Sequence, residues 1–227
     1  MHTLAERLHS IHERIADASL RAGRDSSMVR LMLATKTQDV ATLRRTFALG
    51  ETLFGENRVQ ELVPKTEALA DLPITWQFIG HLQSNKVRDV IGRVSCIQSI
   101  DRASIIEAVD AECLKRNTSV DVMIEVNTSG EASKHGTPFS DVQRVIDEVL
   151  IRTTMRITGF MTIGALSEHE VVVRRCFQQL RILRDSFDAQ HGTTSQLSMG
   201  MSDDLEWAIA EGSTMVRVGT AVFGDRQ

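Results

Sequence analysis

A lysine directly following an apolar run is a chemical signal in a chain of 227 residues that holds only five lysines. Lys36 is such a residue: Met28-Val29-Arg30-Leu31-Met32-Leu33-Ala34 reads as a buried strand and runs into Thr35-Lys36-Thr37. In a partly apolar mouth burial disfavours the ammonium, and the amine can form a Schiff base with an aldehyde. The alternative is a solvated lysine opening a loop. Arg217 is the second signal. In Met215-Val216-Arg217-Val218-Gly219, alternation places Arg217 with Met215 and Gly219, opposite Val216 and Val218. With the valine face covered, the arginine is buried and needs an anion or an acceptor; an internal salt bridge would serve as well as a ligand. The third signal is a pair of turns, Ser198-Met199-Gly200-Met201-Ser202-Asp203 and Gly219-Thr220. Glycines admit close backbone approach, and Ser198, Ser202 and Thr220 offer hydroxyls to a phosphate. A plain N-cap at Ser202 followed by a tight turn is the other reading.

Something must bring these segments together. Strand patterns at 28–34, 52–55, 75–80, 95–99, 120–126, 158–163, 196–199 and 215–218 alternate with helical ones. The helices are expected at 39–49, 58–70, 85–91, 102–116, 141–151, 168–187 and 203–211, after an extra N-terminal helix. That first helix opens on the capping box Thr3-Leu4-Ala5-Glu6, carries Leu4, Leu8, Ile11 and Ile15 at helical spacing, and meets Gly23 at its end. Ser140-Asp141-Val142-Gln143 and Ser167-Glu168-His169-Glu170 read as further capping boxes, and Gly50 closes the 39–49 helix. Such alternation means an α/β fold with a parallel sheet and helical crossovers. Eight units in roughly 200–250 residues fit a single (β/α)8 TIM barrel with an extra N-terminal helix, one domain over 1–227. A doubly wound open sheet gives the same local pattern. In both, functional residues sit at the C-terminal strand ends, and in the barrel the loops after strands seven and eight commonly hold a phosphate.

Composition excludes several classes. The chain is 42% hydrophobic and 25% charged with a net charge of −4, so it has no basic nucleic-acid footprint. No stretch reaches the roughly 18 apolar residues of a membrane helix, and the first 24 residues are too mixed for a signal peptide. Neither nucleic acid nor membrane is expected as a partner. Three cysteines, Cys96, Cys113 and Cys176, are odd in number and widely spaced, which suits a reducing compartment. No Cys/His spacing resembles a metal site, and His9 and His12 share a helix face without a partner. Glu125, Asn127, Asn57 and His81 follow strands and could line the mouth, although a loop hydrogen bond accounts for each. Trp76 and Trp207 read as packing residues. There is no tyrosine.

Longer strings carry a resemblance. Phe54-Gly55-Glu56-Asn57-Arg58-Val59-Gln60-Glu61, the run from Trp76 to Lys86, the run from Leu197 to Leu205, and Val216 to Gly224 match, in order and with Lys36 in place, the pyridoxal phosphate homeostasis proteins. The chain thus resembles an N-terminal barrel of alanine racemase standing alone, with the first helix matching in character only. The resemblance implies pyridoxal 5′-phosphate held as an internal aldimine on Lys36. It implies a phosphate cradle of Ser198, Ser202, Gly219 and Thr220, with Arg217 contacting the cofactor and Asn57 nearby. It further implies a cytoplasmic, non-catalytic, monomeric protein that buffers or supplies the cofactor, with apo pyridoxal-phosphate enzymes as possible recipients.

The rival is an amino-acid racemase or decarboxylase on the same barrel. A racemase of the alanine type takes its second acid/base from a tyrosine on a further domain. This chain runs to Gln227, shortly after the eighth strand, and lacks tyrosine altogether. An arginine facing the pyridine nitrogen would also leave the ring a poor electron sink. A pure interaction protein with a vestigial site is a third reading, against which Lys36 stands intact among the matching strings. Lys134, in the loop 127–136 after the fifth strand, is a candidate second amine near the exit, with a solvated loop lysine as its alternative.

Overall fold

The computed structural model describes residues 2–131 and 133–224. Eight strands form the sheet: β1 (Arg30–Ala34), β2 (Leu53–Glu56), β3 (Thr75–Phe78), β4 (Cys96–Ile100), β5 (Val120–Asn127), β6 (Met155–Met161), β7 (Gln196–Ser198) and β8 (Met215–Val218). Each pairs in parallel with the next, from Leu33 opposite Phe54 to Ser198 opposite Met215. The ring closes where β8 returns to β1, with Arg30 opposite Met215 and Leu33 opposite Val218. That closure makes the fold a TIM barrel and removes the open-sheet alternative. A two-residue strand, Thr137–Pro138, adds to the end of β5.

The helices are α1 (Leu4–Arg21), α2 (Val40–Ala48), α3 (Val59–Ala68), α4 (Val87–Val90), α5 (Ala103–Arg116), α6 (Val142–Leu150), α7 (Glu170–His191), α8 (Leu205–Ala210) and α9 (Thr220–Phe223). The Thr3–Glu6 capping box is present in both directions, and Leu8, Ile11, Ile15 and Ala18 form the buried stripe of α1. Gly23, at φ +65°, follows the end of α1. The other two expected capping boxes do not form. A 3-10 turn over Phe139–Asp141 runs straight into α6, so Ser140 bonds only to Asp141. Helix α7 starts at Glu170, two residues later than expected, and Ser167 accepts from the His169 N–H in the preceding turn. Strand β6 starts three residues earlier than its apolar pattern, because Val120 and Asp121 of β5 pair with Met155 and Arg156.

Two apolar cores result. The larger lies between strands and helices and includes Val216 and Val218. The smaller fills the barrel with Met32, Leu53, Cys96, Met123, Met161 and Met215. Beside it runs a polar ladder across the interior. Gln98 donates to Gln77 at 2.6 Å, Ser198 donates to Gln98 at 2.6 Å, and Arg217 donates to Ser198 Oγ at 2.7 Å. Alternation thus places Arg217 inside, as the valines opposite it require. Among the described residues no helix is long and apolar enough to cross a membrane.

Candidate functional site

The parallel strands deliver their C-terminal ends to one mouth. A cavity of about 230 Å3 there is lined by Lys36, Asn57, Ser202, Arg217, Gly219 and Thr220, with Ile79, Met161, Ile163, Met201 and Asp203 among the remaining walls. Six residues singled out in the sequence therefore meet, although they span 185 positions of chain from Lys36 to Thr220, counted inclusively. Lys36 leaves β1 half-buried, and its amine has no hydrogen bond or ion pair among the described residues. Asn57 leaves β2, and its Oδ1 is buried without a partner. An orphaned buried acceptor costs free energy unless something else satisfies it.

Arg217 forms the floor. It is 5% exposed, with Nη1 donating to the Ser198 carbonyl and hydroxyl, both at 2.7 Å, and Nη2 donating to the Thr162 carbonyl at 2.8 Å. Burial lowers its pKa to about 10, against the pull of Glu125 and Asp204, so it stays cationic at neutral pH. No ion pair accounts for its burial among the described residues. Its neighbours orient the guanidinium without cancelling the charge.

On the wall formed by the last two loops, Thr220 Oγ1 donates to Ser202 Oγ at 3.1 Å and the Ala221 N–H donates to the same oxygen at 3.3 Å. The turn before Ser202 depends on Gly200, at φ +95°, where a Cβ would meet that of Ala208 at 2.5 Å. Asp204 fastens the turn by accepting from the Met201 N–H at 2.6 Å. Arg14 of α1 donates to the Ser202 carbonyl at 2.9 Å and pairs with Glu206, so the N-terminal helix buttresses the same loop.

Ser198 stands apart from the other residues expected in the cradle. It is fully buried, its hydroxyl is used between Gln98 and Arg217, and it does not line the cavity. Its strand is three residues long, so the hydroxyl at its end lies on the interior face rather than in the loop. Its partners Gln98 and Gln77 are interior polar residues that no motif marks as functional. The signal was Cys96-Ile97-Gln98 in a buried strand, where alternation puts a polar Gln98 on the interior face with Cys96.

Asn127 makes loop hydrogen bonds, donating to the Glu131 carbonyl and accepting from the Gly130 N–H. His81 stacks on His135 at 4.1 Å and lies 3.9 Å from Asp101. Trp76 packs edge-on against Phe54. Lys134 is neither a loose loop lysine nor a free amine: Nζ donates to Glu131 at 2.7 Å and to the Gly164 carbonyl at 2.8 Å. It lines a larger neighbouring recess of about 760 Å3 that shares Ile163, Met201 and Asp203 with the Lys36 cavity.

Glu125 is buried inside β5, and its pKa is raised to about 7 by burial first and by Asp101 second, against Arg217 and Arg102. The folded chain favours the neutral acid, so this contribution to stability is full below about pH 4.5 and lost as pH rises through about 7. Glu125→Gln, which keeps the neutral form at every pH, is expected to match the parent at pH 4 and to exceed it by about 1–3 kcal/mol at pH 8. Urea unfolding at the two pH values reads this directly; an equal difference at both would show that folding does not raise the Glu125 pKa.

The family model of the alanine racemase N-terminal domain matches residues 7–227. A pyridoxal phosphate homeostasis protein of Aquifex aeolicus is 41% identical over 223 residues, covering 98% of each chain. A crystal structure of an unknown protein from Bifidobacterium adolescentis superimposes with a TM-score of 0.93 at 38% identity, covering 97% of this chain and 94% of that one. The structure of PipY from Synechococcus elongatus PCC7942, with PLP bound, gives 0.84 at 32% identity over 98% and 100% of the two chains.

Proposed function

The chain belongs to the pyridoxal phosphate homeostasis proteins, and on that premise we propose that it holds pyridoxal 5′-phosphate at Lys36 and keeps it available to apo-enzymes. The single observation that carries this reading is the company Lys36 keeps: an unpartnered amine sharing one small cavity with a buried, uncancelled arginine and a paired hydroxyl wall. The cavity suits this cofactor. Ser202 and Thr220 offer hydroxyls to a phosphate, Arg217 offers a fixed cation to an aromatic nitrogen, and the orphaned Asn57 Oδ1 awaits a donor. Met161, Ile163 and Ile79 supply apolar walls for a flat ring.

When bound, the cofactor supplies an aldehyde that condenses with a lysine amine with loss of water. The protein's part is positional. Lys36 presents its amine at the mouth; Ser198 and the Thr162 carbonyl fix the plane of Arg217; the loop 199–204, braced by Arg14 and Asp204, fixes the hydroxyls. Arg217 cannot give up its proton near neutrality, so the ring gains less electron-withdrawing power than a carboxylic acid partner would confer. The lining holds one carboxylate, Asp203, and no histidine, cysteine or tyrosine to act as a second acid/base. These features favour storage over turnover. We place this work in the reducing cytoplasm, where three free buried cysteines are at ease, with residues 1–227 acting as one cofactor-binding unit and as a monomer.

The test is transfer. Protein loaded with pyridoxal phosphate should reactivate an apo pyridoxal-phosphate enzyme in the presence of excess trap for the free cofactor. Reactivation abolished by the trap would reduce the role to that of a passive buffer, and rapid conversion of an L-amino acid to its D-form would make the chain a racemase. Lys134→Ala, which unties two rim loops, should change the transfer rate without changing the visible spectrum of the loaded protein.

A further inference from the structure

The segment that carries Lys36 is gripped from below. Thr35 donates from its N–H to the Gly55 carbonyl at 2.9 Å and from its hydroxyl to Glu56 Oε1 at 2.6 Å. Its carbonyl accepts from Lys65 Nζ at 2.8 Å. On the other side, the Thr37 N–H donates to Glu61 Oε2 at 2.7 Å. Thr37 has φ +65°, a left-handed conformation that a β-branched residue adopts only at a cost. The Gln38 N–H closes the turn on the Thr35 carbonyl at 3.1 Å, and contacts from outside the loop add to that hold.

Those contacts come from one ion cluster, with Lys65 and Glu56 buried and Glu61 at its half-buried edge. Lys65 Nζ bonds Glu56 Oε1 at 2.6 Å, Glu61 Oε2 at 2.9 Å and the Thr35 carbonyl, which uses all three ammonium protons. Lys65 is 6% exposed and Glu56 is 0% exposed. Glu61 and Lys65 stand four apart on α3, with the acid on the N-terminal side, the favourable order for a helical pair. A buried lysine–acid pair is a poor route to stability compared with apolar packing, and its attested use is to select one conformation. Neither Lys65 nor Glu56 lines the Lys36 cavity. The two lysines are thereby divided in role: Lys65 is saturated with acceptors, while Lys36 has none.

We propose that Lys65, Glu56 and Glu61 are positioning residues that clamp Thr35-Lys36-Thr37 in its strained turn, so that the Lys36 amine is presented at the cofactor cavity. This inference rests on the assignment of Lys36 as the cofactor lysine. Released from Glu61, the turn relaxes, and the competent conformation is only one of several; apparent affinity falls by its remaining fraction.

The clearest variant is Glu61→Ala, because Glu61 is half-buried and its loss leaves the Lys65–Glu56 pair intact. Pyridoxal phosphate titration of the full chain should show affinity about tenfold weaker. Amide exchange at Thr37 should accelerate, while the melting temperature of the apo protein moves little. Glu61→Gln, which keeps an oxygen acceptor for the Thr37 N–H, should restore most of the affinity. Unchanged affinity and unchanged Thr37 exchange in Glu61→Ala would overturn the proposal, as would a loss that tracks global destabilisation and is not rescued by glutamine. Failure of the underlying assignment reads differently: borohydride would then label a residue other than Lys36 in the parent protein, whatever Thr37 exchange shows.

Discussion

Lys36→Ala is expected to abolish the reducible visible chromophore of the loaded protein and to weaken cofactor binding by about 100-fold or more. The fold should survive, with stability within about 0.5 kcal/mol of the parent, since the Lys36 side chain makes no hydrogen bond among the described residues and is half-exposed to the mouth. The remaining affinity should come from Ser202, Thr220 and Arg217, which the substitution leaves in place. Equilibrium dialysis with pyridoxal phosphate, followed by borohydride and mass analysis, separates the covalent from the non-covalent fraction. Retention of a full reducible chromophore would transfer the role to another lysine. Among the other four, Lys65 is consumed by its acceptors and Lys134 by Glu131 and Gly164.

Arg217→Gln should damage both binding and folding. A charge-assisted contact between it and the cofactor would be worth about 1.5–3 kcal/mol, which is one to two orders of magnitude in affinity. From the sequence alone, deleting a buried charge could equally raise the stability of the apo protein. The structure reverses that expectation. The arginine donates to the Ser198 hydroxyl and the Thr162 carbonyl and shares the Ser198 carbonyl with the Thr162 N–H, all inside the barrel, and a shorter glutamine leaves at least one of the first two without this donor. Each orphaned buried acceptor costs about 1–3 kcal/mol, so the apo protein should lose about 2–4 kcal/mol. Denaturant unfolding of the apo variant, paired with cofactor titration, tests both parts. Unchanged cofactor affinity with a strongly destabilised apo protein would make Arg217 a structural residue alone.

Much of this arrangement was legible because strand ends are legible. Lys36, Asn57, Arg217, Gly219 and Thr220 each sit in or just after a short strand-like run, and in a parallel barrel all such ends converge. Ser202 followed from its place after the seventh strand. The interior placement of the Ser198 hydroxyl was harder to read, since one residue of register in a three-residue strand decides between loop and interior. The cluster of Glu56, Glu61 and Lys65 was also out of reach. Its helical pair was visible in the spacing, but its contact with Thr35 and Thr37 joins the loop after β1 to β2 and α3 through tertiary packing that no local pattern encodes. The two false capping boxes fail for a related reason: sequence spacing was right, but a 3-10 turn and a later helix start displaced the cap position.

One lysine, Lys36, is proposed to receive the cofactor. Its most direct test is borohydride reduction of the parent protein loaded with pyridoxal phosphate, followed by proteolysis and peptide mass mapping. The expected result is loss of the visible band on reduction and a single stable pyridoxyl adduct on the peptide containing Lys36. An adduct confined to any other lysine, or no adduct at full cofactor occupancy, would contradict it.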